Sequence, residues 1–230
     1  MPGSSARLPE WERLLSSAAR LQRILPGAVL VGGTAAAIHA EHRFSLDADH
    51  VLTDLRKCFD EVLGQLESVA GWQTARLARP VQILGSLDGI QTGVRQLIRT
   101  EPLETTTLDV EGAALTIPTA AEILRIKGVL ILKRNATRDY LDFVALATHL
   151  GVGATGEALR SFDRLYRQES GESALQQLQV QLANPLPYDL DGLDVSEYRD
   201  LAARWRDWGQ VTDACGRIAV RVFDHVCEAE

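Results

Sequence analysis

Membrane-length apolar runs, paired cysteines and the common phosphate-loop motifs are all missing from this 230-residue chain. Charges interrupt its apolar stretches every few residues, far short of the roughly 20 needed to span a bilayer, so no membrane partner is expected. The opening MPGSSARLPEWERLL carries acids where a secretion signal keeps its apolar segment, which predicts a soluble cytoplasmic protein. Three cysteines, Cys58, Cys215 and Cys227, stand wide apart with no C-x-x-C. They predict buried free thiols and exclude a disulfide framework. The five histidines are scattered, and although His39 and His42 share a helical spacing they have no third ligand, so zinc is not expected. Neither G-x-x-x-x-G-K-S/T nor G-x-G-x-x-G occurs, which disfavours a P-loop or a dinucleotide-binding unit. No repeat or low-complexity segment is evident.

What is present is enough for a globular core: 46% of residues are hydrophobic, in one domain or two closely packed ones. A net charge of −7 argues against indiscriminate nucleic-acid coating. Base is concentrated locally, however, through Arg125, Lys127, Lys133, Arg134 and Arg138, which suits a phosphate-rich substrate held at one place.

The pattern predicts a helix over Leu8–Ile24, stopped by Pro26-Gly27, and then a buried strand at Val29-Leu30-Val31. Gly32-Gly33-Thr34 reads as a tight turn into a helix, and Leu46–Leu52 as a second strand. Thr53 is the expected cap of a helix with Leu55, Phe59, Val62, Leu63 and Leu66 inward. Strands follow at Trp72–Arg76, Val81–Leu84 and Ile90–Ile98, with Gly85, Asp88 and Gly89 as turn residues. A hairpin over Leu103–Val110 and Ala114–Ile117 closes this half. Thr119 and Glu122 form a capping-box pattern for the next helix, and another helix starts at Thr137. Beyond Gly151 only helices are expected, near 156–166, 172–182, 196–208 and 211–226, with Asn184–Leu193 as a linker.

Alternation places Asp47 and Asp49 on one strand face, with Leu46, Ala48 and His50 on the other. Two adjacent carboxylates are relieved by solvent or by a divalent cation between them, and oxygen ligands favour Mg2+ or Mn2+. The Gly-Gly turn lets backbone N–H groups and a helix dipole meet an anion. Together the two features suit a nucleoside triphosphate and its metal. Lys127 projects among Ile123, Leu124, Leu130 and Ile131. Two readings fit it equally: a lysine reaching phosphate, or one snorkelling over apolar surface.

Gly32-Gly33-Thr34, then His42-Arg43-x-Ser45-x-Asp47-x-Asp49, then Lys127, Arg134 and Arg138-Asp139-Tyr140-Leu141-Asp142 resemble the AbiEii-type nucleotidyltransferases, which include MenT-like toxins. The resemblance covers roughly residues 30–150. It implies a DNA-polymerase-β-like nucleotidyltransferase fold: an α/β mixed-sheet core over 1–118, with a helical region over 119–230 packed on it. It also implies Asp47 and Asp49 on magnesium, Gly32, Gly33, Thr34 and Lys127 on the triphosphate, and Arg43, Ser45 and Arg138 beside the nucleotide. Asp139 and Asp142 match the family's later motif, as supports for Lys127 or for the fold. The acceptor would be RNA, such as a tRNA 3′ end, and the biological role a toxin restrained by a separate antitoxin.

The sequence departs from this pattern in one respect. The fold usually carries a third carboxylate on a following strand, but Ile90–Gln96 has none; Asp88 and Asp109 are the nearest substitutes. Two rivals follow: a catalytically degenerate nucleotide-binding protein on the same fold, and an α/β interaction module in which these residues are structural.

Overall fold

The computed structural model describes residues 4–227, with side chains from 9 to 221. The Leu8 and Cys227 side chains lie outside the described residues. The chain divides into two compact units, one of residues 1–35 with 46–118 and the other of residues 36–45 with 119–230.

The first unit is a mixed sheet with helical cover. Its elements are α1 (Ser4–Ile24), β1 (Val29–Leu30), the start of α2 (Gly32–Ala40), β2 (Asp47–Leu52), α3 (Leu55–Glu67), β3 (Trp72–Ala78), β4 (Gln82–Leu87) and β5 (Ile90–Gln96). Strand order is β1-β2-β5-β4-β3. Only β2 and β5 run parallel; the other neighbours are antiparallel. A separate hairpin, β6 (Thr105–Val110) and β7 (Ala113–Pro118), packs on α1. Burying one face of the sheet under amphipathic helices drives this arrangement. Leu21 from α1 and Leu25 just after it, Leu55, Phe59 and Leu66 from α3, and Ile83, Leu87 and Val94 from the strands form one apolar core.

Two local expectations fail for identifiable reasons. Asp54, not Thr53, precedes α3, and it caps through no side-chain bond. Gly85 lies inside β4 rather than in a turn: an added Cβ would stand 2.4 Å from the Gln73 carbonyl oxygen, where β3 shifts register between Thr74 and Arg76. A glycine in a strand interior marks this kind of close backbone approach.

The second unit is helical: α4 (Ala120–Arg134), α5 (Thr137–Leu150), α6 (Val152–Leu159), the short α7 (Phe162–Leu165), α8 (Ala174–Ala183) and α9 (Trp208–Cys227). The Thr119 hydroxyl accepts from the Glu122 N–H at 3.2 Å, and Asn135 ends α4 in the left-handed conformation. The helix expected over 196–208 is absent; two 3-10 turns, Val195–Glu197 and Ala203–Trp205, stand in its place, with a turn at Asp200 (φ +55°) between them. The expected linker is also tied down. Asp189 Oδ1 accepts from the Thr137 N–H at 2.8 Å and its hydroxyl at 2.7 Å, capping α5, whose own N-cap residue is Ala136.

On β2, the face opposite the acids buries Ala48, His50 and Leu52. His50 is fully buried, and its Nδ1 donates to the Ala48 carbonyl at 2.9 Å. Burial lowers its pKa from 6.5 to about 4, because the charged ring would lose its hydration. The neutral ring is native, so stability is full above the unfolded pKa and falls as pH drops from 6.5 toward 4. The lost stability is at most about 3 kcal/mol. Urea unfolding at pH 7 and 4.5 is expected to show a clearly smaller acid loss for His50→Gln than for wild type. Parallel losses in the two proteins would remove His50 as the cause.

Candidate active site

In the first unit the chain passes from β1 straight into α2 beside the acidic strand. The Val31 N–H donates to the Asp49 carbonyl at 2.8 Å. Gly32 then takes φ +76°, and a Cβ there would lie 3.6 Å from the Asp49 Cβ. Glycine is favoured by both the backbone angle and the close approach. The Thr34 side chain is buried and its hydroxyl donates to the Asp47 carbonyl at 2.5 Å, so it clamps the helix start to β2. The first N–H groups of α2, at Gly32 and Gly33, belong to a helix start, where backbone donors lack intrahelical partners.

Asp47 and Asp49 are half-buried and line a pocket of about 430 Å³ in this unit, together with Gln73, Gly85, Gln91, Thr92 and Arg95. The parallel register sets Gln91 against Asp47 and Gly93 against Asp49. A Cβ at Gly93 would come within 3.3 Å of Asp49 Oδ1, so the position nearest the second acid carries no side chain. Arg95, two residues on, brings Nη2 to 3.6 Å from Asp49 Oδ1. Reading β5 only for acids misses this arginine. The signal was available in strand parity, since 91, 93 and 95 share the face of 47, 49 and 51.

Asp88 and Asp109 do not line the pocket. Asp88 sits in the β4–β5 turn at φ +54° and pairs with Arg20, and Asp109 accepts from the Gly112 N–H at 3.2 Å. Among the described residues no group of three His, Cys, Asp or Glu side chains could hold a metal. Two strand carboxylates still fit one Mg2+ ion, which retains water and takes phosphate oxygens. They do not fit two fully protein-ligated ions.

The other predicted residues gather in the second unit around a buried carboxylate. Asp142, on α5, accepts from Arg43 Nε at 2.7 Å and Nη2 at 3.0 Å, and meets His42 Nε2 at 2.7 Å. Lys127 Nζ lies 2.6 Å from Asp142 and 3.5 Å from Asp139. Arg134 adds a bidentate contact to Asp139 at 2.5 and 2.7 Å. Lys127 is 1% exposed, and both acids are fully buried. Burial would raise the Asp142 pKa, but Arg43, Lys127 and His42 hold it well below the usual carboxylate range. The segment 41–45 is fixed further by the Phe44 N–H to the Arg199 carbonyl at 2.9 Å and by the Ala202 N–H to the His42 carbonyl at 2.7 Å. Ser45 is buried at its end, whereas Arg138 is exposed.

No family model matches the chain. Solved structures do share its architecture. JHP933 from Helicobacter pylori aligns over 98% of this chain and 95% of its own, with TM-score 0.55 and 16% identity. A candidate nucleotidyltransferase from H. pylori aligns over 99% of both chains, with TM-score 0.55 and 18% identity. The fold is that of the nucleotidyltransferases. The antibiotic-resistance factor ANT(2″)-Ia aligns over 66% of this chain and 91% of its own, with TM-score 0.50 and 10% identity. Sequence relatives are of another kind. MmpL11 of Mycobacterium tuberculosis, described as a heme uptake protein, is 37% identical over 129 residues, and MmpL11 of Mycolicibacterium smegmatis, a mycolic acid-containing lipids exporter, is 35% identical over 134. The match takes in 55% of this chain, which spans only 13% of the length of either relative. Among the described residues no helix is long and apolar enough to cross a membrane.

Removing Asp142 strands three cationic or donor groups in low dielectric. Asp142→Ala is expected to lose about 3–5 kcal/mol in urea unfolding at pH 7. Lys127→Met should lose less, because Arg43 and His42 still neutralise Asp142. A loss within about 1 kcal/mol for Asp142→Ala would show that the cluster is not what holds this region.

Proposed function

We propose that this chain is a metal-dependent nucleotidyltransferase of the AbiEii type, moving a nucleotide from an NTP to an acceptor with release of pyrophosphate. One observation carries the reading: the Gly32-Gly33 helix start lies directly against the Asp47–Asp49 strand, through the Val31–Asp49 and Thr34–Asp47 hydrogen bonds. An anion-binding helix end and a cation-binding acid pair are thereby adjacent, as a magnesium triphosphate requires.

Asp47 and Asp49 would hold one Mg2+ or Mn2+ ion, with phosphate oxygens and water filling its remaining positions. When bound, the ion supplies positive charge to the α-phosphate and the departing pyrophosphate. The Gly32 and Gly33 N–H groups bind the β- and γ-phosphates, aided by the α2 dipole. Thr34 contributes its backbone N–H and the clamp on Asp47. Arg43 and Lys127 are positioning residues, because both act through Asp142 on the segment that runs into Asp47. Arg138 steadies anionic charge. RNA, including a tRNA 3′ end, is the proposed acceptor, and restraint by an antitoxin the proposed regulation; both rest on the motif resemblance. ANT(2″)-Ia has been crystallised with adenylyl-2″-tobramycin, which supports nucleotidyl transfer as a chemistry of this fold.

The second reading, an NTP-binding protein without turnover, is favoured by Arg95 beside Asp49 and by the absence of a third acid among the residues lining the pocket. Incubation with magnesium, labelled NTPs and total RNA separates the two. Transfer of label to RNA is expected, reduced at least about 100-fold by Asp49→Asn. Saturable NTP binding with no transfer to any acceptor would favour the second reading, and absence of binding would reject both.

A further inference from the structure

The second unit contains a pocket that the nucleotide reading leaves unused. Its volume is about 520 Å³, within the range of small-molecule sites. One wall is α9, which presents Asp213, Arg217 and Arg221 one turn apart. The 3-10 turn Ala203–Trp205 brings Arg204 and Trp205 to the same pocket, and Val152 and Ile218 give it apolar surface.

Three features point to a ligand. First, Arg204, Arg217 and Arg221 form no ion pair with a described residue. Second, Asp213 is the sole acid of the lining among the described residues, so three arginines give the lining an excess of two positive charges. Third, Trp205 is 4% exposed and its indole Nε1 has no hydrogen-bond partner among the described residues, while Arg204 stacks over the ring at 5.0 Å. Clustered guanidiniums repel one another and favour a planar or tetrahedral oxyanion that accepts from several of them. A single carboxylate would balance half of the excess charge, whereas a phosphate monoester balances nearly all of it. The apolar wall suits an organic body attached to that phosphate.

We propose that this pocket binds a small phosphomonoester, its phosphate held by Arg217, Arg221 and Arg204 and its apolar part against Val152 and Ile218. The site is independent of the acidic pocket and of the activity proposed for it.

Isothermal titration of the full chain with phenyl phosphate, benzoate and a 5′-hydroxyl RNA oligonucleotide tests the assignment. Phenyl phosphate should bind saturably and at least about tenfold more tightly than benzoate. The double variant Arg217→Ala/Arg221→Ala should weaken it at least about tenfold, with an unchanged circular dichroism spectrum and unchanged NTP binding. Arg217→Lys/Arg221→Lys should restore part of the affinity, and Asp49→Asn should leave it intact. Absence of saturable phenyl phosphate binding, or binding that ignores the arginine replacements, would overturn the proposal. RNA binding lost in the arginine variant, without phenyl phosphate binding, would assign the cluster to a nucleic-acid backbone and overturn it equally.

Discussion

A carboxylate with no access to water needs positive partners, and Asp142 is in that position. Its fully buried side chain takes a bidentate guanidinium from Arg43, the ammonium of Lys127 and a ring nitrogen of His42. Two of these groups belong to the five residues that precede β2. The carboxylate therefore ties a loop to α5 and α4, and that loop continues within two residues of Ser45 into Asp47. Such a cluster contributes less to net stability than its number of contacts implies, because each ion has been desolvated. Its contribution is to conformation: the alternative to this one arrangement is a buried charge without a partner.

The acidic pocket is organised by backbone rather than by side-chain charge. The bond from Val31 to Asp49 and the clamp from Thr34 to Asp47 set the α2 start against β2, leaving both carboxylates on the open face of the strand. Across the parallel pairing, Gly93 contributes nothing and Arg95 contributes a positive charge. A site with two acids and one arginine differs chemically from one with three acids. It carries less negative charge to hold cations, and it offers a guanidinium to an incoming anion. Lys127 lies in the charge network of the second unit, at 1% exposure, with its Nζ 3.5 Å from Asp139 and 2.6 Å from Asp142.

Much of this was legible from residue order alone. The two-residue period predicted the opposite faces of β2, since a pleated strand alternates its side chains whatever it packs against. The 3.6-residue period predicted the inner face of α3, and Thr119 with Glu122 predicted the start of α4. These are short-range signals, imposed by local backbone geometry within a few residues. The failures occur where distant chain intervenes. Gly85 resembles a turn glycine until β3 is laid against it, and residues 196–208 resemble a helix until their backbone is drawn to His42 and Phe44.

The fold class, the acid pair and the glycine turn thus follow from pattern, because their geometry is local. Partnership across the fold does not. The pairing of Asp142 with residues about a hundred positions earlier, the capping of α5 by Asp189, the approach of Arg95 to Asp49 and the lining of one pocket by Trp205 and three arginines each depend on how separate elements pack. Electrostatic attraction and steric fit act through space, and spacing along a chain records distance only for residues within the same helix or strand.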